Sequence, residues 1–266
     1  MKIAICVKQV PDSWAEKKMV DGRLDRASVD AVLNDLDEYA IEEALRIIEP
    51  LNEGKENPEH TITLISMGPD RATEAIRKGL SMGADSGVLV TDAALAGSDA
   101  IATSKVLAHV ISQGGFDLVF CGTESTDARM SVVPAMLAER LGWAQLTFAG
   151  SVKVSPEQST VEIARMTESG VETMSAKFPC VISVIEKINE PRYPSFKGIM
   201  AAKKKIIENR TLADVGVSAA DVGTSGAWSA VVDAQARPPR DKGVKVEDSG
   251  DGGTKLAEYL AEKRLV

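Results

Sequence analysis

Four times before Gly142, a short apolar run is followed by a stretch with helical spacing, and this alternation limits the chain to one class of fold. KIAICVK (2–8), TITLISMG (61–68), GVLVTD (87–92) and FDLVFCG (116–122) read as strands. They are apolar on successive residues instead of alternate ones, which suits strands buried on both faces. Between them Leu36, Ala40, Ile41, Ala44, Leu45 and Ile48 recur at helical spacing, behind Asn34 and Asp35 as expected caps and with Asp37 and Glu38 in the first turn. PDRATEAIRKGLSMG (69–83) opens on proline and closes on glycine, Ile101 to Ile111 forms a third helix, and Val133, Met136, Leu137 and Leu141 mark a fourth. Strand and helix in this order imply right-handed crossovers and a mostly parallel sheet flanked by helices, the α/β class.

After Gly142 the pattern changes. QLTFAGSVKV, TVEIARM, VETMSAKF and CVISVIE read as strands with short connections, the second and third joined by the turn TESG (167–170), and all are expected as antiparallel additions to the sheet. Beyond residue 208 the composition loosens into Gly, Ser, Ala and Pro before a terminal helix at about 253–264. The expected division is an α/β domain over 1–224 and an extended C-terminal arm over 225–266.

The net charge of −8 argues against general nucleic-acid binding, which needs a basic surface. No apolar run approaches the roughly 18 residues of a membrane span, so no direct membrane insertion is expected. The opening MKIAICVKQV lacks the basic head, apolar middle and small-residue site of a secretory signal, and a cytoplasmic location is expected. Cys6, Cys121 and Cys180 lie far apart inside apolar runs and read as reduced core thiols. With only His60 and His109 as histidines, no metal site is expected. GxGxxG, GxxxxGK[ST] and GxSxG are all missing, so no catalytic residue is assigned and the chain is not expected to be an enzyme.

In an open parallel sheet the ligand crevice lies beyond the carboxyl ends of the strands. The segments there are KQVPD, MGPD and CGTESTDARMSVVP. In the last, a strand ends at Gly122, a small polar loop follows, and a helix begins near Ser131. The first amides of that helix, at Ser131, Val132 and Val133, would face outward, where a phosphate could bind without any lysine. A loop of this kind also serves simply to cap a helix, and both uses stay open from the residues alone.

Several motifs together resemble one family. CVKQVPD (6–12), NDLDEYAIEEALRI (34–47), GPDRATEAIRKGLSMGAD (68–85), DLVFCGTESTD (117–127), NEPRYPSFKGIMAAKKK (189–205) and GVKV (243–246) are similar to the beta (small) subunit of electron transfer flavoprotein, of the bacterial FixA type. The resemblance implies a heterodimer in which a larger alpha subunit holds the redox FAD and the beta subunit holds AMP. By position the AMP would be lined by Cys6, Asn34, Asp35, Leu36, Asp37 and Met67, and by Gly122, Thr123, Glu124, Ser125, Thr126, Asp127, Met130, Ser131, Val132 and Val133. DARMSVVP has fewer side-chain donors than relatives usually carry, and in the bifurcating branch of the family a second FAD takes this place. Met166 stands where a glutamate is common, and Ser13 where an aromatic is.

The resemblance also implies a recognition loop at about 190–204, with Tyr193, Pro194, Ser195, Phe196 and Lys197 docking acyl-CoA dehydrogenase-type donors and electrons passing on to a membrane quinone oxidoreductase. Phe196 is expected exposed, as an anchor contributing ~2 kcal/mol or more, and Tyr193 packed. Pro191 and Pro194 restrict the backbone and lower the entropy lost on docking. Lys203, Lys204 and Lys205 would supply a local positive patch. The arm from about 225 would wrap the alpha subunit. A stand-alone nucleotide-binding regulator of the same architecture is the alternative from another class.

Overall fold

A computed structural model describes every residue except Asn57, Ala236, Asp241 and Val244. Val244 of the GVKV motif, with Ala236 and Asp241 of the expected arm, thus lies outside the described residues. The others fall into two compact units, Met1–Val232 and Asp233–Val266.

The first unit opens with strand β1 (Lys2–Cys6), then the short strands β2 (Gln9–Pro11), β3 (Met19–Val20), β4 (Arg23–Leu24) and β5 (Ala31–Leu33). Helix α1 (Asp35–Asn52) leads to β6 (Thr61–Met67), α2 (Thr73–Met82), β7 (Ser86–Val90), α3 (Ala100–Gly114), β8 (Leu118–Gly122) and α4 (Val133–Leu141). Four strands follow, β9 (Ala144–Ser155), β10 (Thr160–Thr167), β11 (Gly170–Lys177) and β12 (Cys180–Val184). Helix α5 (Phe196–Ala202), β13 (Ile207–Arg210), α6 (Leu212–Val215) and α7 (Gly223–Gly226) complete the unit.

Among the described residues the main sheet has nine strands in the order β11-β10-β9-β12-β8-β1-β6-β7-β13. β2 pairs with β5 and β3 with β4 in two small antiparallel ribbons. From β1 the chain steps to β6 and β7 on one side, then crosses back to place β8 on the other, so the strand order reverses between β1 and β8. Ile3, Ile5, Leu64 and Phe120 face α1 and α2, whereas Ala4, Ile65, Val119 and Cys121 face α3 and α4. Each large apolar side chain removed from water in this way contributes about 1.5–3 kcal/mol, and the two layers hold the strand ends in place.

The helix termini follow local chemistry. α1 carries Asp35, Asp37 and Glu38 in its first turn, Asp99 accepts the Ala102 amide at the start of α3, and Pro134 occupies the first turn of α4. Gly142 ends α4 in the left-handed conformation, with its amide bonded back to the last turn.

Two expectations are corrected. β12 is not an antiparallel addition: it runs parallel between β8 and β9, and β9 is antiparallel only to β10. Its residues Cys180–Val184 are all buried, the continuous apolar pattern of a strand covered on both faces. Nor does the packed unit loosen after residue 208. β13 pairs parallel to β7, and Leu212, Val215, Val217 and Val222 are buried against α3, below a capping box between Thr211 and Asp214. Their hydrophobic spacing is too short to stand out among neighbouring small residues. In the second unit the expected terminal helix is present as α8 (Gly252–Glu262).

Candidate functional site: the crevice at the strand reversal

The carboxyl ends of β1 and β8 part where the strand order reverses, and the residues that follow them build one polar network. Asn34, expected as a helix cap, makes no capping bond. Its side chain is buried and fully engaged instead: Nδ2 donates to Asp37 Oδ1 (2.9 Å) and to the Glu124 carbonyl (2.9 Å), and Oδ1 accepts the Thr126 amide (3.0 Å). Asn34 thus ties the start of α1 to the loop after β8. Asp37 accepts the Lys8 amide at 2.8 Å, joining the loop after β1 to the same point. Burial pushes the Asp37 carboxyl up to about 7, against the lowering effect of the Asn34 and Lys8 hydrogen bonds.

Gly122 fits here because it has no side chain. A Cβ would lie 2.7 Å from both Asp37 Oδ1 and the Leu36 carbonyl oxygen. Thr123 continues the loop by donating its hydroxyl to the Val184 carbonyl at 2.6 Å.

Two basic residues fix the rest of the loop. Lys8 Nζ reaches Asp127 Oδ1 at 2.7 Å and Ser125 Oγ at 3.1 Å, and Arg26 binds the other Asp127 oxygen through Nε at 3.1 Å. The Asp127 side chain is 1% exposed. Burial alone would raise its carboxyl, but the Lys8 ammonium and the Lys8 and Arg26 hydrogen bonds hold it well below the usual carboxylate range. Lys8 was legible as the residue just beyond a strand; Arg26 comes from an unpatterned loop and gave no signal.

The helix expected to begin near Ser131 starts two residues later. α4 starts at Val133, and Ser131 precedes it with φ 54°, in the left-handed region, while Val132 is right-handed. A left-handed residue before a right-handed one turns successive amides toward a common concavity, a backbone nest suited to an anion. Among the described residues, the amides of Ser131, Val132 and Val133 have no hydrogen-bond acceptor. The Ser131 hydroxyl donates to Glu124 Oε2 at 2.9 Å, so a phosphate in the nest competes with that carboxylate.

Cys6, Met67 and Val133 pack partly buried on the α3 side of the sheet. Leu36 is half-buried, whereas Asp35 and Met130 turn outward. Asp35 instead lines an open cavity of about 430 Å³ with Val10, Trp14, Glu38, Glu74 and Lys78. Its carboxylates Asp35, Glu38 and Glu74 disfavour an anion there.

The other expected site lies on α1 and α5. Tyr193 is 94% and Phe196 80% exposed, which corrects the expectation of a packed tyrosine. Arg192 is drawn onto Glu42 and Glu49, and Tyr193 beside it is left to solvent. Asn189 donates to the Tyr39 carbonyl and to Glu43, both at 3.0 Å. Ser195 caps α5 by accepting the Gly198 amide, Pro194 precedes it, and Lys197 lies in its first turn. Lys205 does not join a free basic patch. Its Nζ donates to the carbonyls of Leu80 (3.3 Å), Gly83 (3.1 Å) and Ala84, the acceptors that the end of α2 leaves unpaired.

Residues 21–215 match the family model described as the electron transfer flavoprotein domain. The chain is 47% identical to the electron transfer flavoprotein subunit beta of Mycobacterium tuberculosis over 99% of both chains. It is 46% identical to that of Mycobacterium leprae, again over 99% of both. With the same subunit of Megasphaera elsdenii it shares 35% identity over 99% of this chain and 97% of that one. A match of this extent, on a parallel sheet with its crevice at the strand reversal, shows that the chain belongs to the electron transfer flavoprotein family as a beta subunit.

Proposed function

We propose that this electron-carrier subunit binds AMP in the crevice between β1 and β8, and that it acts as a scaffold without catalysis of its own. The reading rests on the three unpartnered amides of Ser131, Val132 and Val133 in a left-handed to right-handed turn. A phosphate there accepts main-chain hydrogen bonds and gains from the dipole of α4. Asn34, Asp37, Lys8 and Arg26 spend their hydrogen bonds on one another and on the loop, so they shape the seat and leave the phosphate to the backbone.

The redox chemistry of the assembly is that of FAD, held mainly by an alpha subunit. This chain's part is to position and to dock. Tyr193 and Phe196, exposed on a segment clamped to α1, suit an anchor on acyl-CoA dehydrogenase-type donors, with a membrane quinone oxidoreductase as acceptor. In the second unit Leu256, Tyr259 and Leu260 share one side of α8, and no residue of that helix is buried, which suits an arm over residues 225–266 that wraps the alpha subunit. No helix among the described residues is long and apolar enough to cross a membrane, in keeping with a cytoplasmic carrier.

Co-expression with an alpha subunit, followed by denaturation and mass identification of the released nucleotides, tests the proposal. One FAD and one AMP per heterodimer are expected. Two FAD would replace it with a bifurcating subunit, and a colourless monomer with bound nucleotide would point to the stand-alone regulator.

A further inference from the structure

Two thiols lie side by side at the floor of the crevice. Cys6 ends β1, and its register partner on the neighbouring parallel strand β8 is Cys121. Both side chains are on the α3 side of the sheet, Cys121 buried and Cys6 partly open. Adjacent strands run about 4.8 Å apart, inside the roughly 4.4–6.8 Å separation of α-carbons that a disulfide spans. Cys180 sits at the other end of its strand, level with Leu118, and faces α1 and α2. It reaches neither thiol in the folded chain.

We propose that Cys6 and Cys121 form a reversible disulfide when the protein meets a hydroperoxide, and that this bond closes the floor of the crevice. The sulfur of Cys6 attacks one peroxide oxygen; an S–O bond forms, the O–O bond breaks, and the departing hydroxide takes the thiol proton as water. The sulfur of Cys121 then attacks the sulfenic sulfur of Cys6. The S–S bond replaces the S–O bond, and a second water leaves with the Cys121 proton. Two thiols and one hydrogen peroxide thus become one disulfide and two waters, with the sulfur pair oxidised by two electrons and the peroxide reduced by two.

The order of attack follows from access. Solvent reaches Cys6 and not Cys121, and its hydrogen bond to Cys6 together with burial pushes the Cys121 thiol up, so Cys121 waits as the resolving partner. Side chains directly opposed on parallel strands stand further apart at their β-carbons than a relaxed disulfide allows. The bond is therefore strained and more readily reduced, as a reversible one must be. It draws the end of β1 toward β8, so the inference stands whether or not AMP is the crevice's ligand.

The heterodimer is treated with hydrogen peroxide, blocked with N-ethylmaleimide and mapped by peptide mass. The expected product lacks two hydrogens, joins the Cys6 and Cys121 peptides, leaves Cys180 free and is reversed by dithiothreitol. Cys6→Ser removes the reaction. Cys121→Ser leaves Cys6 as a sulfenic acid that dimedone traps, and circular dichroism checks that both variants are folded. Oxidation of wild-type Cys6 to sulfinic acid without a crosslink, a crosslink to Cys180, or no reaction at all overturns the proposal.

Discussion

Arg192 closes on Glu42 from 150 positions away in the chain, with Nε 2.7 Å from Oε2 and Nη2 3.1 Å from Oε1. Its Nη2 also lies 3.0 Å from Glu49 Oε2, about two turns further along the same face of α1. The Glu42 side chain is 5% exposed, so the pair fixes the segment that carries the exposed Tyr193 to a buried point of the helix.

Arg192→Ala is expected to cost about 2 kcal/mol, less than a fully buried pair because Arg192 is partly solvated and Arg46 still contacts Glu42. In a domain of this size that lowers the Tm by about 4–8 °C. Arg192→Lys should recover less than half, since an ammonium cannot make the paired contact. Scanning calorimetry measures both, and an unchanged Tm in the alanine variant would refute the clamp.

Asp37 makes stability depend on pH in an unusual direction. Its folded-state value is raised from 3.8 to about 7, so its contribution is complete below the ordinary carboxylate value and is lost as pH rises through about 7. Between pH 5 and pH 8 the wild type should lose about 2–3 kcal/mol relative to Asp37→Asn. Asp127 acts oppositely: it stabilises above the ordinary carboxylate value and stops doing so only as pH falls well below it. Urea unfolding midpoints at the two pH values decide the matter, and parallel pH profiles for variant and wild type would show that Asp37 is not the cause.

Gly122→Ala places a methyl group 2.7 Å from Asp37 Oδ1 and the Leu36 carbonyl. Neither can move freely, because Asp37 is held by Asn34 and Lys8. A destabilisation of about 1–3 kcal/mol is expected, with weaker retention of any crevice ligand. Chemical denaturation paired with nucleotide analysis reads both effects, and a variant as stable and as loaded as the wild type would sink the steric account.

Lys205→Met removes the charge that bridges the carbonyls of Leu80, Gly83 and Ala84, at and just beyond the end of α2, and is expected to cost about 1–2 kcal/mol. Amide exchange should quicken in the last turn of α2, and no change there would mean that water serves those carbonyls equally well.

The parallel core was legible in the sequence because strands such as KIAIC and LVFCG are apolar on successive residues, a pattern that only a doubly covered strand requires. CVISV has the same signature, but short connections around it suggested hairpins; pairing partners are a long-range property that local spacing does not encode. The crevice could be located from the loop after Gly122, whereas the Asp127 contacts could not. Lys8 and Arg26 reach it across 119 and 101 positions, and no periodicity links them. The tyrosine was misplaced because aromatic character does not say which side of an extended segment faces in, and the ion pair of its neighbour decides that.

The eighteen residues of α1 make a strut about 27 Å long at 1.5 Å per residue. Asn34, just before its first turn, grips the loop after β8, and Glu42 and Glu43 in its middle grip Arg192 and Asn189. The spacing between the strand reversal and the exposed phenylalanine is therefore set by helix rise, like marks on a ruler. On the proposed reading, a donor protein docked on Phe196 would meet a foothold at a fixed offset from the strand reversal.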